Sequence, residues 1–301
     1  MRIGIDVGGT KIEAVALDDR GEVRLRRRVA APRGDYDATL RAIAQLVGAL
    51  VGDRSEPCTI GVGIPGAISP ESGLVKNANS TWLIGQPFDR DLERLVGQPV
   101  RCGNDANCFA LSEATDGAGA GAAVVFGVIV GTGTGGGIVA HGRVLEGRHR
   151  IGGEWGHNPL PWPQADEWPG PPCYCGRTGC IETFLSGPGL GRAYHARTGA
   201  SFDAAEIARR ADAGETAAGQ VMAAYEHRMA RALASVINVL DPDVIVLGGG
   251  LSNLDRLYAN VPACWGPFVF SDRASTPLLK AAHGDSSGVR GAAWLWGPGQ
   301  A

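Results

Sequence analysis

Twice in this chain an apolar, strand-like run stops at a turn built almost entirely of glycine. Residues 2–7 run into Gly8, Gly9 and Thr10, and residues 124–130 run into Gly131, Thr132 and Gly133, with Thr134 and three more glycines behind them. In both places the chain resumes as β-prone sequence, at residues 12–17 and 138–140. A strand that reverses through glycine begins a meander, and two such meanders in like positions imply an internal duplication. Each copy must then bury a sheet of its own, which constrains the fold more than any other feature of the chain.

Beyond each meander the chain turns helical or alternates helix with strand. Leu40, Ile43, Ala44, Val47 and Leu50 recur at helical spacing over residues 36–51. A strand is predicted at 58–64, a helix at 89–96, a strand at 99–102 and a helix from Ala106. In the second half helices are predicted at 187–197, 203–212 and 216–240, a buried strand at 244–247 and a last helix at about 289–297. Strands first, then alternating helices and strands, in two related halves, predict an α/β protein. The Gly/Ala-rich loop at 116–122 marks the boundary. The expected domains are 1–116, joined by a C-terminal helix within 289–301, and 117–288.

Composition excludes several function classes. Net charge is −3 in 301 residues, so no global field attracts nucleic acid or an anionic membrane. No stretch approaches the roughly 20 apolar residues that span a bilayer, and the start meets Asp6 before any apolar run develops, unlike a secretory signal. Seven cysteines, an odd number, without such a signal predict reduced thiols and a cytoplasmic protein. Cys58, Cys102, Cys108 and Cys264 stand singly and read as small buried hydrophobes.

Glycine turns have a chemistry of their own. Without side chains, backbone N–H groups approach phosphate oxygens closely. Thr10 and Thr132 add hydroxyls, Lys11 adds a cation, and Asp6 could hold a hydrated Mg²⁺ beside the phosphates. A third run, Gly248, Gly249 and Gly250, comes after a strand. The set points to phosphate and nucleotide binding, against the plainer reading of tight hairpins. There is no Walker A motif. The Gly-x-Gly-x-x-Gly spacing at Gly61/Gly63/Gly66 and at Gly131/Gly133/Gly136 is followed by breaking or strand-like sequence, so neither reads as a dinucleotide fingerprint.

Three further segments carry chemistry. Asn104 and Asp105 precede a helical run. They are either a plain N-cap or a carboxylate projecting into the cleft between the halves, placed to take a proton from a hydroxyl that attacks a γ-phosphate. His157, Cys173, Cys175 and Cys180 are one imidazole and three thiols, the full ligand set of a closed tetrahedral zinc site with no open position for a catalytic water. Glu154 and Glu182 flank it, either as surface charges or as acceptors for sugar hydroxyls. Residues 76–82, rich in side-chain amides beside Trp82, are either a turn or the lining of a polyol pocket.

Taken together these stretches resemble the ROK family (repressors, open reading frames and kinases), with matches at Asp6 through Lys11, Gly63 through Gly66, Asn104 through Asn107, Gly131 through Gly133, Glu154 through His157, Cys173 through Glu182 and Asp241 through Gly250. The resemblance implies an actin-like ATPase (ribonuclease H-like) two-domain fold with an interdomain cleft. It implies Asp105 as catalytic base, and Asn104, Glu154, His157 and Glu182 as sugar-hydroxyl binders with Gly66 and Asn79 in the same pocket. It further implies Thr10, Lys11, Thr132 and Gly133 as phosphate contacts, Gly248 and Gly249 as adenosine contacts, and a structural Zn²⁺ on His157, Cys173, Cys175 and Cys180. ATP, Mg²⁺, a hexose and a second copy of the chain are the expected partners.

Two features depart from the family pattern: a long gap between His157 and Cys173, and Thr134 followed by three glycines. Residues 76–82, 85–88, 157–162 and 283–291 are most similar to the family's fructokinase (mannokinase) branch, which makes transfer to the 6-hydroxyl of fructose the leading expectation. N-acetylglucosamine or glucose kinases of the same family are the alternative. A non-catalytic sugar-sensing regulator is a third reading. It is disfavoured because repressors of the family place a helix-turn-helix ahead of a strand that here begins at Ile3.

Overall fold

The computed structural model describes residues 1–52 and 57–297; the last four positions of the C-terminal segment expected within 289–301 lie outside the described residues. In chain order the elements are β1 (Arg2–Val7), β2 (Lys11–Leu17), β3 (Val23–Ala30), α1 (Tyr36–Val51), β4 (Thr59–Ile64), β5 (Ala67–Ile68), β6 (Val75–Lys76), α2 (Phe88–Val96), β7 (Val100–Asn104) and α3 (Asp105–Asp116). Next come β8 (Val124–Val130), β9 (Thr134–Ala140), β10 (Arg143–Val144), α4 (Ile181–Leu185), α5 (Gly187–Thr198), α6 (Ala204–Asp212), α7 (Thr216–Leu240), β11 (Val244–Gly248), α8 (Arg256–Trp265), β12 (Leu278–Lys280) and α9 (Ser287–Trp294).

The two large sheets repeat one strand order, β3-β2-β1-β4-β7 and β10-β9-β8-β11-β12. In the first, β1 pairs antiparallel with β2 and parallel with β4. In the second, β11 lies parallel to both β8 and β12. The central strands β1, β4 and β11 are buried along nearly their whole length, as expected of strands covered on both faces. The outer strand β3 is the opposite: its run of arginines is exposed, which keeps an unpaired edge from recruiting another chain.

The chain divides into two compact units. Unit 1 comprises Met1–Gly121, Gly137–Gly152 and Ala282–Ala301, and unit 2 comprises Ala122–Gly136 and Gly153–Ala281. The expected boundary at 116 therefore falls inside unit 1. Residues 137–152, expected in the second domain, cluster with unit 1.

Within unit 1 the period of two along the strands sorts residues to two faces. Ile3, Ile5, Val7, Ile12 and Ala14 pack with Leu40, Ile43 and Leu50 of α1. Val15 and Leu17 pack on Val289 and Ala293 of α9, and Asp6 and Glu13 belong to this second face. Helix α9 lies unusually close to the sheet. A Cβ at Gly4 would stand 2.0 Å from the Val289 carbonyl oxygen, one at Gly61 1.8 Å from that of Ala292, and one at Gly291 1.6 Å from that of Cys108 on α3. Glu113 of α3, fully buried, accepts from the N–H groups of Ala118 and Ala282 and from Ser287 Oγ. Asp116 accepts from Trp294 Nε1 and lies against His283 and Arg290. Residues 283–291 are thus the docking sequence of α9.

In unit 2 the long gap between His157 and Cys173 is pinned by Glu167. Its carboxylate accepts from the Gln164 N–H, Arg228 and Arg231. Arg231 is almost fully buried on α7, and it also donates to the Trp162 carbonyl. Helix α8 was not expected: Pro262 within it reads as a breaker, yet Leu257, Val261 and Trp265 recur every four residues and are buried. Among the described residues no helix is long and apolar enough to cross a membrane.

Candidate active site

Unit 1 holds four of the residues expected around the acceptor hydroxyl, Gly66, Asn79, Asn104 and Asp105, near the junction of β7 and α3, whereas Glu154, His157 and Glu182 belong to unit 2. Asn104 is the N-cap: its Oδ1 accepts from the N–H groups of Ala106 and Asn107 at 2.9 and 3.2 Å. Its amide donates to the Gly66 carbonyl at 3.0 Å. Capping therefore falls to Asn104, and Asp105 stands exposed at the first helical position, with Oδ1 accepting from the Ala106 N–H at 2.8 Å.

Gly66 adopts φ +74°, and a Cβ there would stand 2.2 Å from the Lys76 carbonyl oxygen. The Pro65–Gly66 turn is consequently pressed against the segment that carries Asn79. That segment is anchored further on, where Trp82 Nε1 donates to Thr39 Oγ1 at 3.2 Å. The buried Ser80 lies beside Gly9, with its Oγ 3.9 Å from where a Gly9 Cβ would be. Amide-rich loop, cap, carboxylate and first glycine turn are therefore neighbours in one unit.

The first turn is closed by the Gly8 N–H donating to the Lys11 carbonyl at 3.0 Å. Arg33, unmarked by any motif, donates from Nε to the Gly9 carbonyl at 2.7 Å. Lys11 Nζ lies 4.0 Å from Glu13, which also pairs with Arg26 and Arg28. Asp6 sits opposite Glu13 in the ladder. Burial, then the charges of Asp105 and Glu13, push the Asp6 carboxyl up to about 7, with Lys11 opposing. A cation held at Asp6 would relieve the repulsion between these carboxylates, so the residues present fit a divalent ion there.

Unit 2 holds the second glycine turn. The Gly187 N–H donates to the Gly131 carbonyl at 2.7 Å, and the Thr134 N–H donates to Glu182 Oε2 at 2.9 Å. Beside the turn opens a cavity of about 610 Å³ lined by Gly131, Thr132 and Gly250, with Pro188, Phe202, Leu251 and Leu254 as its apolar walls. A volume in this range suits a drug-sized organic ligand. Gly248 is the buried end of β11 and Gly249 packs on the Val130 carbonyl; neither lines the cavity, whereas Gly250 does. Pro188, Phe202 and Leu254 had no sequence signal, since an isolated apolar residue in or beside a helical stretch reads equally well as core.

The imidazole and three thiols come together as expected. The four donor atoms of His157, Cys173, Cys175 and Cys180 all lie within 4.8 Å of one another. His157 Nδ1 is 3.5 Å from Cys173 Sγ, and Cys175 Sγ is 3.6 Å from Cys180 Sγ. Ligands at zinc–sulfur distances of about 2.3 Å in a tetrahedron stand this far apart, so the donor set fits zinc. Burial and the neighbouring thiols push Cys180 up to about 12, while the Arg177 backbone N–H holds Cys175 down. The other ring nitrogen of His157 meets the Tyr174 hydroxyl at 2.9 Å. A sugar hydroxyl on His157 would have to take the place of that phenol. Glu154, exposed, precedes the buried Trp155, whose Nε1 donates to the Gly135 carbonyl.

The sequence profile of the ROK family matches residues 2–298. An N-acetyl-D-glucosamine kinase of Pasteurella multocida is 40% identical over 98% of this chain and 99% of its own length. A ROK hexokinase from Thermus thermophilus superimposes with a TM-score of 0.84 at 31% identity, over 98% of this chain and 97% of that one. A ROK glucokinase from Streptomyces griseus, solved with glucose and AMPPNP, does so with a TM-score of 0.78 at 27% identity over 98% of each chain. The architecture is the actin-like ATPase type of α/β fold, with mixed sheets.

Proposed function

Because this chain belongs to the ROK family, we propose that it is an ATP-dependent sugar kinase that phosphorylates a hexose, with Asp105 as general base. The observation that carries this reading is the division of labour at the start of α3. Asn104 caps the helix and ties it to the Gly66 turn, which leaves the Asp105 carboxylate at the exposed helix start, beside the amide-rich loop. Asp105 takes the proton of the attacking hydroxyl as the bond to the γ-phosphorus forms. Asn104, Asn79, Glu154, His157 and Glu182 hold the sugar hydroxyls.

The first turn, with Thr10 and Lys11, and the second, with Thr132 and Gly133, bind phosphate oxygens, and the cavity beside Thr132 receives the nucleoside. Magnesium, when bound at Asp6, neutralises phosphate charge, and zinc on His157, Cys173, Cys175 and Cys180 braces the loop that carries Glu182. The working assembly is a homodimer.

For the sugar, we favour the 6-hydroxyl of fructose, with mannose next. The support is residues 76–82 and 157–162, the stretches most similar to the fructokinase branch. A second reading, N-acetylglucosamine, is favoured by the 40% identity to the Pasteurella multocida enzyme. Measuring ADP release with fructose, mannose, glucose and N-acetylglucosamine separates them. The highest kcat/KM on fructose bears out the first reading, the highest on N-acetylglucosamine replaces it with the second, and no turnover on any of the four removes both.

A further inference from the structure

We infer that Glu182 is a positioning residue through which the His157/Cys173/Cys175/Cys180 cluster sets the glycine turn of the donor cavity; the inference rests on the nucleotide reading of that cavity. The turn is held at both ends by one short segment. At one end Glu182 Oε2 accepts from the Thr134 N–H at 2.9 Å. At the other the Gly187 N–H donates to the Gly131 carbonyl at 2.7 Å. Glu182 lies in α4, only five residues long, and Gly187 follows shortly after its end.

A helix this short has no stability of its own, so its place is set by what holds its start. That start is Cys180, whose thiol belongs to the cluster and which directly precedes α4. The Glu182 N–H donates to the carbonyl of Gly156, the residue before His157. Both arms of the cluster therefore converge on Glu182.

Close packing leaves the turn little room to move independently. A Cβ at Gly133 would stand 2.7 Å from Glu182 Oε2, and one at Gly156 2.0 Å from the Thr134 carbonyl oxygen. Gly131 and Thr132 in turn line the cavity of about 610 Å³. The cluster thus acts on the nucleotide side of the reaction as well as on the sugar side.

ADP affinity, measured by calorimetry without sugar, tests this on metal-loaded protein of verified zinc content. Glu182→Ala should weaken ADP about tenfold, the scale of one lost hydrogen bond to a fixed backbone group. Glu182→Gln keeps an oxygen that can accept from Thr134, and should stay within about threefold of wild type. Stripping zinc from the wild-type chain should weaken ADP as Glu182→Ala does. Wild-type ADP affinity in Glu182→Ala would overturn the inference, as would equal losses in the Ala and Gln variants. A wild-type chain that does not bind ADP would instead remove the nucleotide reading underneath it.

Discussion

At the scale of single residues, the decisive distinction is between two neighbours of similar chemistry. Asn104 and Asp105 are both good N-caps, and sequence alone left open which served the helix and which served a reaction. The hydrogen bonds assign the cap to Asn104, and the general-base proposal for Asp105 rests on that assignment. Asp105→Asn should keep sugar affinity and lower kcat by about 10²–10⁴-fold; turnover near wild type in a steady-state assay would remove Asp105 from the role. Asp6 makes a prediction in pH. Its folded-state value, about 7, lies above the ordinary 3.8, so its contribution to stability is present below about 4 and is lost as pH rises through about 7. Metal-free protein should gain stability from Asp6→Asn at pH 8 and little at pH 4, while the variant loses magnesium-dependent turnover. Thermal unfolding at the two pH values checks the first part, and an equal effect at both would show that Asp6 is not the titrating group.

At the scale of elements, β1, β2 and the helical spacing of α1 were legible because alternate strand residues and one helix face meet in a single core. Helix α8 was not, because Pro262 looks like a stop. In so short a helix Pro262 removes a single bond, the one to the Tyr258 carbonyl, and burial of Leu257, Val261 and Trp265 offsets that cost. Two strand glycines carried no such signal at all. Gly4 and Gly61 let α9 approach the sheet, as Gly291 lets it approach α3. A methyl group at Gly291 meets a backbone oxygen that cannot move aside, so Gly291→Ala should destabilise unit 1 by about 2 kcal/mol or more. A urea midpoint unchanged from wild type would mean that α9 docks elsewhere.

At the scale of the whole molecule, the proposed zinc brace on His157, Cys173, Cys175 and Cys180 makes predictions of its own. Zinc binding must draw protons from Cys173 and Cys180, so the cluster should release metal on acidification. Chelation, or Cys175→Ser, should lower the unfolding temperature and raise the sugar KM severalfold; a folded Cys175→Ser variant with unchanged KM would uncouple brace from pocket. The sequence by itself determined the α/β class, the two meanders, the four members of the His/Cys cluster and the family, because these are written in local period, spacing and residue type. The repeat seen as two glycine turns is matched by two sheets of one strand order, since each half must bury its own strands. Only the tertiary structure decided that residues 137–152 cluster with unit 1, that Pro188, Phe202 and Leu254 wall a cavity, and that Glu182 reaches Thr134 from 48 residues further along the chain. The physical reason is the same in each case: an apolar wall or a carboxylate's partner is chosen by distance in space, and nothing in local sequence encodes which distant backbone group packing will bring within reach.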